Sequence, residues 1–300
     1  HLSYKFFKKA KTLNHLLLFI LFGAGLFSAI LMNDTIAIIG TPVMILLARN
    51  HQIKTEILLL TLAFSITIGS VMSPIGNPQN LLIAVNGKIP SPFLTFFKYL
   101  FLPTIINLFC TFFVIKLFYK DEFHKNILTH SNEPIKDLNL AFLSKISLAL
   151  LILLIFLKII FGIFYQNTDF NISIIAIIPI IPILFSKKRF KLIKNADWHT
   201  IIFFISMFVL MQGVWDTGFI QSGINKLNIN FLSIPVILIL GIILSQFISN
   251  VPMVALYLPL LLNSNAGIKE MMALAAGSTI AGNLMIFGAA SNVIIIQNAE

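Results

Sequence analysis

Long apolar runs separated by short polar stretches dominate the chain. They cover roughly residues 13–48, 57–86, 92–118, 142–165, 172–185, 199–215, 231–262 and 271–298. A bilayer-crossing helix needs about 17–25 mainly apolar residues. Lipid offers no partner to backbone N–H and C=O groups, so such runs must be helical. The alternating pattern of a membrane barrel is absent, and the predicted fold class is all-α and polytopic. Trp198 and Trp215 bracket one run at a spacing close to the hydrocarbon thickness, as interfacial anchors would.

Two runs are too long for one span and carry an internal polar break. The run 13–48 is interrupted at Asn33-Asp34-Thr35, and 231–262 at Asn250-Val251-Pro252. If each break is a tip, each run is a re-entrant hairpin that enters and leaves on one side. The basic residues agree with that reading. Placing the ends of the first hairpin, the loop 116–145 and the loop 186–197 in the cytoplasm puts 16 basic residues inside and 4 outside, with Lys158 inside a helix. The basic segment Tyr4 to Lys11 suits the inner-leaflet surface.

An internal repeat is visible at a fixed offset. Asn33 and Pro42 stand nine apart, as do Asn250 and Pro259. Residues 62–86 align with 274–298 after a shift of 212, matching Thr67 with Thr279, Gly76 with Gly288, Asn80 with Asn292 and Asn86 with Asn298. Five predicted crossings separate the hairpins, so the second would enter from the opposite face. That is an inverted-topology repeat, the architecture of alternating-access transporters. The predicted division is a first repeat over 1–120, a cytoplasmic loop over 121–141 and a second repeat over 142–300. The first repeat holds hairpin 13–48, broken helix 57–86 and helix 92–118. The second holds helices 142–165, 172–185 and 199–215, hairpin 231–262 and broken helix 271–298. Repeat symmetry further predicts about three helices before His1 and one after Glu300, in a parent of roughly 410–420 residues.

The candidate chemistry lies where helices break. Ser73 to Asn80 places two prolines and Gly76 inside the run 57–86, and Gly288 to Asn292 places small residues inside its mate. Irregular backbone is tolerated at membrane depth only where it lines protein or a water-filled cavity. Each break exposes amide donors at one half-helix start and carbonyls at the other half-helix end, suiting anions and cations respectively. Four breaks are expected to converge near the midplane. They supply Asn33, Asp34 and Thr35; Gly76, Asn77 and Asn80; Ser249 and Asn250; and Gly288, Ser291 and Asn292 as solute- or ion-binding residues. The competing reading is that these side chains only cap helices. Asp34 is the one acid expected deep in the membrane, where it would couple transport to a proton or cap the arm 35–48.

The segments Gly-Asn-Pro-Gln-Asn at 76–80, Ser-Asn-Val-Pro at 249–252 and Ala-Gly-Asn-Leu with Gly-Ala-Ala-Ser-Asn across 281–292 resemble the ion transporter superfamily. That group includes citrate and dicarboxylate carriers, the membrane subunit of arsenite efflux pumps, and sodium/proton antiporters. The resemblance implies two hairpins and two broken helices around a substrate, with cations bound beside the tips. Sodium-coupled dicarboxylate carriers carry Ser-Asn-Thr at both tips. Here the first is Met32-Asn33-Asp34-Thr35, and the second is closer to the arsenite-efflux branch. Either Na+ or H+ is left open as coupling ion.

The remaining signals narrow the class. The formal charge of +10 sits in short loops between apolar runs, which points to membrane topology rather than to nucleic acid. The histidines form no His-Glu-x-x-His pair, no Gly-rich Lys loop for phosphate is present, and the single Cys110 lies in an apolar run. No nucleophile–base pair suggests an intramembrane enzyme, and no cofactor is expected. The expected function is secondary transport of a small anionic solute, carboxylate or inorganic oxyanion, coupled to protons or sodium. The alternative is arsenite efflux or sodium/proton antiport, with a passive channel ranked lower. The expected setting is the bilayer of the inner (plasma) membrane with basic loops cytoplasmic, and the class allows a homodimer.

Overall fold

A computed structural model describes residues 12–124, 137–164, 171–196, 198–219, 222–223 and 230–300. The described residues are almost wholly helical. The basic segment before Thr12, Lys125 and Lys136 of the long loop, and Lys226 lie outside the described residues. Among the described residues four helices are long and apolar enough to cross a membrane: α1 (Leu13–Leu31), α5 (Pro92–Phe118), α6 (Leu138–Phe164) and α10 (Trp198–Asp216). Between α1 and α5 lie α2 (Asn33–His51), α3 (Thr55–Ser70) and α4 (Pro78–Asn86). The second half continues with α11 (Ile234–Ile248), α12 (Asn250–Asn263), α13 (Ile268–Ile280) and α14 (Ala290–Ala299).

Helices α1 and α2 meet at a single residue, Met32, and α11 and α12 at Ser249. Both have positive φ, 66° and 68°, in an otherwise helical path. The tips therefore fall one residue earlier than the polar breaks expected from the sequence. Asn33 and Asn250 already belong to the second arms, because the backbone reverses before them. Asp34 is consequently not an N-cap; it lies in the first turn of α2, whose N-cap is Met32. Pro42 and Pro259 sit inside the second arms.

The first arm of each hairpin packs on the first half of the neighbouring interrupted helix, α1 on α3 and α11 on α13. The α1/α3 crossing is close enough that a Cβ on Gly69 would stand 2.3 Å from the Gly25 backbone. Ser65 and Ser28 stitch the same crossing, donating to Leu21 O at 2.7 Å and Ile66 O at 2.6 Å. The second arms reach across the molecule: α2 packs on α14, and α12 on α4. The buried core accordingly runs through both hairpins and both interrupted helices, while most of α6 and α10 is exposed, as a lipid-facing surface requires.

The run 172–185 departs from the single continuous helix expected. It consists of α7 (Ile172–Ile177), a 3-10 turn at Ile178–Ile180 and α8 (Ile181–Leu184), because Pro179 and Pro182 lack the amide donors an α-helix needs. A short α9 (Arg189–Lys194) follows. Asp137 caps α6 by accepting from Leu140 N at 2.9 Å, and Lys188 Nζ donates to its other oxygen at 2.5 Å. The Leu140 amide first, and then the Lys188 ammonium, hold the Asp137 carboxyl below its ordinary value.

Candidate functional site at the helix interruptions

The first interruption spans Val71–Asn77. Asn77 caps α4, its side-chain oxygen accepting from Asn80 N at 2.8 Å, with Pro78 at the first helical position. Gly76 is required for close approach, since a Cβ there would stand 2.3 Å from Ser70 O. Asn80 is fully buried, and its Nδ2 donates to Ser70 O, Val71 O and Ser73 O at 3.0–3.2 Å. One amide thus gathers the carbonyls freed where α3 ends.

The second interruption spans Ala281–Ala289 as two 3-10 turns, Ala281–Asn283 and Ile286–Gly288. It repeats the first in outline. Asn292 Nδ2 donates to Gly282 O at 2.5 Å, the same bond as Asn80 to Ser70 at 212 residues' remove. Gly288 again lies against the end of the first half, where a Cβ would stand 2.7 Å from Ala281 O. The N-cap differs: Ala289 replaces the capping Asn77 and has no side chain to offer.

The interruptions are tied together. Thr279, near the end of α13, accepts from Asn77 Nδ2 and Gln79 Nε2 and donates to Asn80 Oδ1, each at 3.3 Å. Asn33, at the first tip, donates from its backbone to Gly76 O at 2.9 Å and from Nδ2 to Ser291 Oγ at 3.4 Å. Three of the four expected breaks therefore meet through Asn33, Gly76, Asn77, Asn80 and Ser291. The second tip is joined one turn earlier, where Gln246 Nε2 donates to Ala281 O at 2.9 Å. Asn250 is buried, Ser249 is half-buried, and Thr35 is exposed.

Several buried oxygens here have no hydrogen-bond partner among the described residues: Thr67 Oγ1, Ser245 Oγ, Gln246 Oε1, Asn250 Oδ1 and Asn292 Oδ1. Of these residues only Asn292 lines a cavity of about 630 Å3, whose wall is mostly apolar (Leu59, Leu60, Phe64, Ile295, Ile296) with Glu56, Tyr119 and Glu300 among its polar members. No Lys or Arg among the described residues lines it. A second cavity, of about 500 Å3, is lined by Asn86, Gln212, Trp215, Pro259 and Leu262.

Gln79, Gln246, Thr67 and Thr279 are the residues that sequence reasoning missed as parts of this site. The signal for the two threonines was present in their match across the repeat. Gln246, an amide four residues before Asn250 in an otherwise apolar arm, was a weaker one.

A family profile described as citrate transporter matches residues 1–281. A transporter named arsB from Dictyostelium discoideum is 22% identical over 92% of this chain and 68% of its own length. An uncharacterised transporter of Methanocaldococcus jannaschii is 28% identical over 99% of this chain and 74% of its own. A silicon efflux transporter of Oryza sativa subsp. japonica is 46% identical over 65 residues, which is 22% of this chain and 13% of its own.

Proposed function

The chain belongs to the citrate transporter family, and on that premise we propose that it is a secondary active carrier for a small anion, driven by a cation gradient. The observation that carries this reading is the pair of interrupted helices held against each other by Thr279 and by the first hairpin tip through Asn33. Two half-helix starts in one place offer oriented amide donors without a basic side chain, which suits an anion that must also be released. The two halves act as inverted repeats rocking about that site.

Asp34 is the coupling residue in this reading. It stands half-buried in the first turn of α2, a carboxylate beside the Asn33 tip contact where a coupling cation or proton can be held.

A second reading has its own support. The described residues lining the mostly apolar cavity include the carboxylates Glu56 and Glu300 and the unpartnered Asn292 Oδ1 but no Lys or Arg, which favours an undissociated hydroxide such as arsenous or silicic acid over an anion, in keeping with the names of two relatives.

Proteoliposome flux tests both. Citrate, succinate, sulfate, arsenite and silicic acid are offered with and without an imposed pH or sodium gradient, to the parent protein and to Asp34→Asn. Accumulation of a carboxylate or oxyanion supports the first reading, and transport confined to the hydroxides supports the second. The Asn variant should bind and carry solute but lose its response to the pH gradient. A variant that still responds as the parent does removes Asp34 from coupling.

A further inference from the structure

The segment between α8 and α10 concentrates charge that neither the fold nor the proposed site uses. Lys187, Lys188, Arg189, Lys191 and Lys194 fall within eight consecutive residues, and Asp197 is the one acid in 185–198. Lys188 is taken by Asp137. Lys187, Arg189, Lys191 and Lys194 are exposed and pair with no acid among the described residues. The same segment exposes large apolar side chains: Phe185 is 76% and Phe190 73% exposed, and Ile193 and Trp198 are exposed beside them. Such a patch marks a surface that something apolar covers.

Helix α9 sorts the two kinds of residue. A helix turns by about 100° per residue, so Phe190 and Ile193 stand side by side, with Arg189 at one edge and Lys194 and Lys191 at the other. Leu192 turns away from that face and is half-buried. The platform is tied at both ends. Ser186 Oγ accepts from Lys188 N at 3.2 Å before α9 begins, and Trp198 Nε1 donates to Ile193 O at 3.0 Å, pinning α9 to the start of the membrane-crossing α10. An apolar strip edged by cations is the form of a helix lying in the bilayer interface.

We propose that the exposed face of α9, with Trp198, is a docking surface for anionic phospholipid. Phe190, Ile193 and the Trp198 ring enter the boundary between headgroups and acyl chains, and Lys187, Arg189, Lys191 and Lys194 meet the lipid phosphates. Charge complementarity selects this occupant. The cations call for an acidic partner, the aromatic side chains call for an apolar one, and an anionic leaflet at the end of a crossing helix offers both. Bound lipid holds α9 at a fixed depth and, through the Trp198–Ile193 bond, the start of α10 with it. The inference goes beyond the carrier reading and does not depend on it.

Trp198 reports on the lipid directly. The chain has two tryptophans, so Trp215→Phe leaves Trp198 as the one indole. The full-length protein is placed in phosphatidylcholine nanodiscs that hold the same small fraction of either phosphatidylglycerol or phosphatidylcholine brominated near the headgroup end of its chains. Quenching of Trp198 should be about two- to fivefold stronger with the brominated phosphatidylglycerol, the enrichment expected of a small basic cluster. Trp198→Phe leaves Trp215 at the far end of α10, where the two lipids should quench equally. Lys187→Gln, Arg189→Gln, Lys191→Gln and Lys194→Gln, made together, should abolish the excess at Trp198. High salt should remove most of it from the unneutralised protein, so the result stays readable if the neutralised variant does not fold. Millimolar glycerol phosphate at matched ionic strength should leave the excess in place. Equal quenching of Trp198 by the two lipids would overturn the proposal and mean that protein covers this face. An equal excess at Trp215, an excess that survives both neutralisation and salt, or its loss to glycerol phosphate would overturn it as well. None of these outcomes reads solute flux, so this inference and the carrier reading fail separately.

Discussion

At the scale of single residues, the two matched asparagines have the same position and different surroundings. Asn80 and Asn292 are each the third residue of a half-helix, and each ties down the carbonyl ten residues before it. Asn80 also holds Val71 O and Ser73 O and accepts from Thr279, so its side chain is committed to protein. Asn292 lines the cavity, and its buried Oδ1 has no partner among the described residues. Sequence alone made the pair equal, because a repeat match reports position and not state. The structure separates them. Asn80→Ala should cost about 2–4 kcal/mol of stability, since it strands buried carbonyls and the Thr279 hydroxyl. Asn292→Ala should cost less stability and more affinity, with KM raised about five- to tenfold. Thermal unfolding and solute flux, measured on both variants, check this. Equal losses of stability would return Asn292 to a capping role.

At the scale of elements, apolar length was enough to place most helices, and Gly, Pro and Asn clusters were enough to place both interruptions. Those residues act locally, through missing donors and permitted dihedrals, so their signal survives in the sequence. The tips at Met32 and Ser249 were not legible to the residue. Neither side chain favours positive φ, and the reversal is fixed instead by contacts from elsewhere, such as Asn33 N to Gly76 O. The 3-10 turn inside the helical run 172–185 went unmarked for the opposite reason. Its prolines carried the local signal, and apolar length was given more weight. Close helix approach was also hidden, because a glycine in an apolar run reads equally as filler. Gly69 shows what is at stake: a side chain there meets Gly25 backbone, which cannot swing aside as a flexible side chain would. Gly69→Val should therefore destabilise the α1/α3 crossing by about 1–3 kcal/mol or more. Gly241→Ala, facing Gly277 at 3.3 Å, should be milder. Detergent-solubilised melting curves should rank them in that order, and a Gly69 variant as stable as the parent would mean the crossing can open without loss.

At the scale of the whole molecule, the issue is which ends of the helices share a side of the membrane. The basic loops gave one answer from charge alone, and the link from Asp137 to Lys188 gives an independent one. It joins the start of α6 to the segment after α8, so the chain that leaves through the 27 residues of α6 has returned by Lys188. The pieces α7 and α8 are individually too short to span, but α8 and the 3-10 turn before it pack beside α6, and together they make the return. Because the carboxyl of Asp137 is held below its ordinary value, this link is present at neutral pH. It is lost only as acid carries the solution down through that lowered value. The two cavities lie at opposite ends of one interrupted helix, the larger at Glu56, which opens α3, and the smaller at Asn86, which closes α4. On the topology proposed from the basic loops, the end of α3 that follows Arg49 and Lys54 faces the cytoplasm and the end of α4 that precedes Lys88 faces outward. In a Cys110→Ala background, Lys187→Cys should react with an impermeant maleimide only in inverted vesicles, and Lys88→Cys only in intact cells. Labelling of both from the same side would break the crossing count between the hairpins. It would also remove the inverted relation on which alternating exposure of the two cavities depends.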